Sequence, residues 1–137
     1  MAFCLQHISF ISRSDAQHHE GNPNAAIISI YDTEDGPVFL SQNWGGILKL
    51  IFHDVNPDDC QGNEILFSGK HANDVINFMD DLPENINEIV VHCFRGISRS
   101  AAVAKAISDA YKLDFPGDYC RYNAHVYRVL ADYLGVS

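Results

Sequence analysis

The chain has 137 residues, 47% of them hydrophobic and 20% charged, which is enough apolar mass for one packed domain and too little length for two ordinary ones. Eighteen carboxylates against nine Lys and Arg give a net charge of −9, which excludes a sequence-independent nucleic-acid binder and a basic membrane-surface binder. No apolar run approaches the roughly 20 residues of a membrane-spanning helix, and the first residues lack the basic-then-apolar pattern of a secretory signal.

The elements alternate between two periodicities. His7 to Ile11 reads as a first strand. Ser12 or Ser14 caps a short helix that ends at Gly21, and Asn22-Pro23-Asn24 breaks it. Ala25 to Tyr31 is a continuous apolar, β-branched run, as expected of a strand covered on both faces. Asp32 to Pro37 is a turn, and Trp44-Gly45-Gly46 a second one. Ile47 to Phe52 is a third strand, followed by a polar loop from His53 to Asn63.

Ser68 caps a helix running to about Leu82, with Ala72, Val75, Ile76 and Met79 on one face. Glu88 to His92 is a fourth strand. Ile97 to Lys112 is apolar nearly all round, so it predicts a buried helix. A last helix is expected from about Asp118 to Leu134, with Tyr122, Val126, Val129, Leu130 and Tyr133 inward. Strands alternating with helices predict a single α/β domain over residues 1–137, with a mainly parallel central sheet of four or five strands flanked by helices.

Cys4, Cys60, Cys93 and Cys120 contain no C-x-x-C pair, which leaves zinc-ribbon and thioredoxin-like readings without support. Free thiols in a reducing cytoplasm are the expectation, with Cys4 and Cys120 as packing residues. The charge is unevenly placed. Residues 1–90 carry three cations and 14 carboxylates, a net of −11; residues 91–137 carry six cations and four carboxylates, a net of +2. An acidic chain that keeps two thirds of its cations in its last third has the means to hold an anion there.

The segment with chemistry is His92-Cys93-Phe94-Arg95-Gly96-Ile97-Ser98-Arg99-Ser100. It follows the carboxyl end of a strand and precedes a helix, where open α/β sheets bind ligands. Backbone N–H groups in such a loop converge, and the helix start adds partial positive charge, so the pair makes an anion site. Gly96 permits a backbone conformation that other residues resist. Arg99, six residues after Cys93, is placed to grip two phosphate oxygens. The same surroundings favour a thiolate at Cys93, and a thiolate held against a phosphate is a phosphorus nucleophile. Ser100 is placed to donate to the sulfur, and His92 to fix the loop. From this composition the full pattern arises by chance about four times in 100,000.

HCFRGISRS resembles the H-C-x5-R-[ST] phosphate loop of the cysteine-dependent protein tyrosine phosphatase superfamily, and its G-x-S-R-S ending resembles the dual-specificity branch. The resemblance is strongest over residues 47–112. It implies a phosphatase-like fold and hydrolysis of a phosphorylated protein or peptide. Phosphotyrosine is the expected substrate group, with phosphoserine and phosphothreonine open, and no metal or cofactor takes part. It implies Cys93 as nucleophile, Arg99 as phosphate clamp, the backbone from Phe94 through Arg95, Gly96, Ile97 and Ser98 to Arg99 as phosphate donors, Ser100 as the aid to thiolate departure and His92 as support.

The resemblance also requires an upstream Asp as general acid. Asp54, Asp58 and Asp59 lie 39, 35 and 34 residues before Cys93, and distance does not choose among them. Asp54 is favoured because it directly follows the third strand; Asp58 and Asp59 would reach the loop only by closure. His53 beside Asp54 is a candidate to tune it, and Cys60 in the same loop a candidate oxidation partner of Cys93.

Two alternatives stay open: a phosphate-binding module without turnover, and a phosphatase of phosphoinositides, inositol phosphates or RNA 5′-phosphates. Arg95 is the loop's one extra cation, and the net charge disfavours RNA. Rhodanese-type loops are one residue shorter, and the arsenate-reductase branch begins its chain with the Cys loop. No nucleic-acid or membrane partner is expected, and a monomer is favoured.

Overall fold

A computed structural model describes residues 4–136; Met1 to Phe3, part of the stretch read for a leader, lie outside the described residues. The elements run β1 (His7–Ser12), α1 (Arg13–His18), β2 (Ala25–Tyr31), β3 (Gly46–Ile51), α2 (Gly69–Asp80), β4 (Glu88–Cys93), α3 (Arg99–Tyr111) and α4 (Ala124–Leu134), with a short 3-10 turn at Pro57–Asp59. The four strands form one all-parallel sheet in the order β1-β4-β2-β3.

The apolar run of β2 is explained by its place. It is an inner strand, paired with β4 on one side and β3 on the other, and its first six residues are buried. Alternate residues serve opposite faces. Ala26, Ile28, Ile30, Ile89, Val91 and Cys93 face the large core beneath α2, α3 and α4. Ala25, Ile27 and Val90 face a smaller core closed by Ala16 of α1 and by Trp44. β3 is an edge strand, and its burial alternates accordingly, with Ile47 and Ile51 about two-fifths exposed.

The helices start where their caps dictate. Ser12 accepts the Asp15 N–H at 3.1 Å and starts α1. Ser68 starts α2 with a capping box whose second half is His71: its Nδ1 accepts the Ser68 N–H at 3.0 Å, where Glu or Gln would usually serve. Nine residues of α3 are buried, so this helix is sandwiched between the sheet and α4. On the α3–α4 seam Lys105 Nζ bonds Asp109 at 3.0 Å and lies 4.7–5.7 Å from the ring centroids of Tyr127, Tyr122 and Phe115. This cation–π cluster ties the segment between the two helices to the helix beneath it.

Several boundaries differ from expectation. The third helix, expected from Ile97, begins at Arg99, because Gly96 takes a φ of +72° and residues 94–98 form a loop. The last helix, expected from about Asp118, begins at Ala124, because Asn123 caps it through the Val126 N–H at 3.0 Å. Cys4 and Cys120, expected to pack, are exposed; all four cysteines are free thiols. Tyr133, expected inward, is 47% exposed. Among the described residues no helix is long and apolar enough to cross a membrane.

Candidate functional site

Parallel pairing brings the strand ends to one edge of the sheet. Ser12 of β1 stands opposite Cys93, Ser29 of β2 opposite His92, and Tyr31 opposite Ile51 of β3. The residues that follow each strand therefore emerge together. These are the loop from Phe94, the turn from Asp32 and the loop from His53.

Cys93 is the last residue of β4, 2% exposed, and its Sγ lies 3.1 Å from Ser100 Oγ. The loop after it leans on β1. Phe94 O accepts the Arg13 N–H at 3.0 Å, and a Cβ added to Gly96 would lie 2.5 Å from the Ile11 carbonyl carbon and the Ser12 nitrogen. Glycine is required there on two counts, the positive φ and the absence of room. Among the described residues the N–H groups of Phe94, Arg95, Gly96, Ile97 and Ser98 donate to no protein acceptor. Ser98 stands at the N-cap of α3 without capping it, so the first-turn N–H groups of α3 are left uncapped as well. A run of unsatisfied donors at a helix start, around a thiol, is an anion cradle.

His92 is fully buried behind this loop. Its Nε2 lies 2.6 Å from Ser29 Oγ and its Nδ1 3.3 Å from the Cys93 carbonyl. A neutral ring satisfies both: Nδ1–H donates to the carbonyl and Nε2 accepts the hydroxyl. Burial holds its pKa below the ordinary value and keeps it neutral.

Arg99, the first residue of α3, is anchored from behind. Its Nη1 donates to Phe52 O at 2.9 Å and lies 3.5 Å from Asp32, while its Nη2 lies 3.9 Å from Asp35. Asp32 also accepts the Asp35 and Glu34 N–H groups at 2.9 and 3.0 Å. Burial alone would raise its pKa, but those hydrogen bonds and the Arg99 charge outweigh burial and hold it below the usual carboxylate value. Asp35 moves the other way: burial and the neighbouring Asp32 charge raise it, and Arg99 only partly offsets them.

Of the three candidate acids, Asp54 alone lines the pocket around Cys93. Its Oδ1 accepts Ser98 Oγ at 2.8 Å and Asn123 Nδ2 at 2.9 Å. Asp58 and Asp59 sit on the exposed 3-10 turn. His53 does not turn toward Asp54: its Nδ1 accepts the Ile65 N–H at 2.9 Å and its Nε2 bonds Glu34 at 2.8 Å. Asp32, Glu34 and His53 offer three ligand atoms within 4.8 Å of one another, yet both nitrogens of His53 are already used within the fold. Cys60 points its thiol at the Glu64 carbonyl.

The pocket holds about 490 Å³ and is lined by Asp35, Asp54, Cys93, the loop residues Phe94, Arg95, Ile97, Ser98 and Arg99, and Arg121. Asp35, Asn123 and Arg121 escape a reading of the sequence. Asp35 carries a legible signal, since it follows the carboxyl end of a central strand. Arg121 and Asn123 arrive through the segment between α3 and α4, which is pinned over the loop by two bonds. Tyr119 donates its hydroxyl to Ile97 O, and Asn123 N–H donates to Ser98 O at 3.1 Å. Only the excess of cations in the last third of the chain hints at Arg121.

Chemically, the arrangement can hold a tetrahedral oxyanion in the loop, present a sulfur to its central atom, grip two of its oxygens with Arg99 and set a carboxyl group on the far side. No protein-family model, curated protein or solved structure matches this chain.

Proposed function

We propose that the chain is a small cysteine-dependent phosphatase of the protein tyrosine phosphatase superfamily, nearest its dual-specificity branch, acting on phosphorylated protein in a reducing compartment. The observation that carries this reading is the row of five unpartnered N–H groups beside the Cys93 thiol, with the Arg99 guanidinium at their end.

The reaction is two displacements at phosphorus. The phosphate oxygens occupy the loop donors and Arg99, which neutralise the charge of the transferring group. Cys93 Sγ forms a bond to phosphorus while the bond to the leaving oxygen breaks. Asp54, in its acid form, gives that oxygen a proton. In the second step Asp54 takes a proton from water, the hydroxyl attacks phosphorus, and the S–P bond breaks to return the thiolate. Ser100 Oγ, 3.1 Å from the sulfur, donates to the departing thiolate. Holding the reactants in line supplies most of what the chemistry needs, so no cofactor enters.

A phosphate-binding module without turnover is the second reading. It draws on the two donors already spent on Asp54 Oδ1, which leave one oxygen for proton transfer. An aryl phosphate assay separates the two. Cys93→Ser is expected to abolish turnover while phosphate still binds; retained turnover removes Cys93 from the nucleophile role. Asp54→Asn is expected to cost about 100-fold or more with poor leaving groups and to flatten the basic limb of the pH–rate profile. No hydrolysis by the wild-type protein of phosphotyrosine or phosphoserine peptides, phosphoinositides or triphosphorylated RNA leaves the binding module.

A further inference from the structure

Two carboxyl groups share one guanidinium. Asp32 lies 3.5 Å from Arg99 Nη1 and Asp35 lies 3.9 Å from Arg99 Nη2, with side chains 16% and 20% exposed. The two carboxyls are also hydrogen-bond neighbours of each other. Such a bond forms only when one of them carries a proton, because a carboxylate is an acceptor alone. The turn decides which one. Burial weighs against a charge on either residue, but Asp32 accepts the Asp35 and Glu34 N–H groups at 2.9 and 3.0 Å, which favour its ionised form. Asp35 has no such donors among the described residues, and burial and the Asp32 charge outweigh what Arg99 and Arg13 do to keep it ionised. Of the pair, only Asp35 lines the pocket that holds Cys93.

Ionised together, the pair sets two negative charges against the one positive charge of Arg99, on the wall of an anion pocket. A phosphate dianion would add two more. The surrounding groups leave that count in place. Arg13 sits behind the turn on Gly36 O and Pro37 O, and its effect on Asp35 is the weakest of those acting there. Glu34 is tied to His53, which spends both ring nitrogens inside the fold, so these residues make no metal set. The other ionisable groups of the pocket are Cys93, Asp54, Arg95 and Arg121, and among the described residues none of them pairs with Asp35.

We propose that Asp32 and Asp35 hold one proton between them, and that Asp35 presents it as a hydrogen-bond donor to the oxyanion gripped by the loop and Arg99. The inference rests on the anion cradle of the phosphatase reading and adds a binding residue to it. A neutral Asp35 meets a dianion as a donor; an ionised one meets it as a like charge. Where the pair is fully ionised, binding draws one proton from solvent onto Asp35. Affinity is therefore highest at low pH and falls as pH rises and the pair loses its proton.

The probe is sulfate, which stays a dianion across the range used. It is bound to the Cys93→Ser variant, so that no thiol titrates in the pocket. Calorimetry from about pH 5 to about pH 8, at constant ionic strength and in buffers of different ionisation enthalpy, reads affinity and proton uptake together. Sulfate affinity is expected to fall about tenfold or more over that range, with about one proton taken up per sulfate at its upper end. With Asp35→Asn added, whose amide donates without titrating, the affinity is expected to change less than about threefold over the range. With Asp35→Ala added instead, which removes charge and donor alike, sulfate is expected to bind about fivefold more weakly than with Asp35→Asn. An affinity that does not change with pH while Asp35 is intact, or the same pH dependence in Asp35→Asn, overturns the shared proton; the first of these needs no substitution in the pair. Equal affinity of the Asn and Ala variants overturns the donor, and no sulfate binding at any pH overturns the proposal entirely. Wild-type turnover of an aryl phosphate is read alongside: its absence counts against the phosphatase reading alone and leaves sulfate to decide the role of Asp35.

Discussion

Asn123 does three jobs, and two substitutions pull them apart. Its Oδ1 caps α4 at Val126 N, its Nδ2 donates to Asp54 Oδ1 at 2.9 Å and Val55 O at 3.2 Å, and its backbone N–H holds Ser98 O. Asn123→Ala removes the cap and the tether. Asn123→Ser keeps a capping oxygen but is too short to reach Asp54. The cap contributes about 1 kcal/mol. A hydrogen bond to a charged group contributes about 1.5–3 kcal/mol, but Asp54 is exposed, and solvent screening brings the tether to about 1 kcal/mol. The Ala variant is thus expected to lose about 2 kcal/mol and the Ser variant about 1 kcal/mol. At roughly 4 °C per kcal/mol for a chain of this length, the Tm falls by about 8 and 4 °C. The kinetic signature is shared instead of graded. Ser98 still holds Asp54 Oδ1, so the acid is loosened but not lost, and both variants should turn over aryl phosphates with poor leaving groups about tenfold more slowly. Activated leaving groups, which need little protonation, should change less than about twofold. If Asn123→Ser keeps wild-type rates with poor leaving groups, Asn123 is a cap alone and Asp54 is positioned by something else.

Two further outcomes follow from the loop and its support. Gly96→Ala must place a Cβ 2.5 Å from the backbone of β1 at a φ of +72°, so a loss of at least about 2 kcal/mol in Tm-derived stability and tenfold or more in phosphate affinity is expected; an unchanged phosphate Kd by calorimetry refutes the close approach. Burial holds the folded pKa of His92 below its ordinary 6.5, so the unfolded chain binds a proton there that the folded one does not; stability is then full above pH 6.5 and is lost as pH falls from 6.5 toward the folded value, and denaturation in that window should show a shallower pH slope for His92→Asn than for the wild type.

What the sequence reveals and what it hides divide along physical lines. β2 is legible because a doubly covered strand needs an unbroken apolar run, and α3 because nine of its thirteen residues are buried. Cys93, Arg99 and Ser100 are legible because one local loop sets all three. Helix starts are less so. Residues 118–122 have helix-compatible side chains, but Tyr119 and Asn123 find better partners on the loop, and local propensity yields to them. Asp35 and Arg121 lie 58 residues before and 28 after Cys93, and only the strand order and the pinned segment bring them to it. Asp54 lies between these cases: its place after β3 is readable, while its two donors, 44 and 69 residues away, are not.

Much of what holds the loop around Cys93 comes from the two flanks of the chain. It rests on β1 through Gly96 and Arg13 N–H, near the start of the described chain, and on the α4 cap through Ser98 O, near its end. Edge strands and terminal helices open at lower free energy than the centre of a sheet. The pocket is therefore the first part of the molecule to sense fraying at either flank, ahead of any change in β2 and β4. Anion affinity is in this sense a gauge of how tightly the two flanks are closed, and a bound anion, by favouring the closed form, holds both in place.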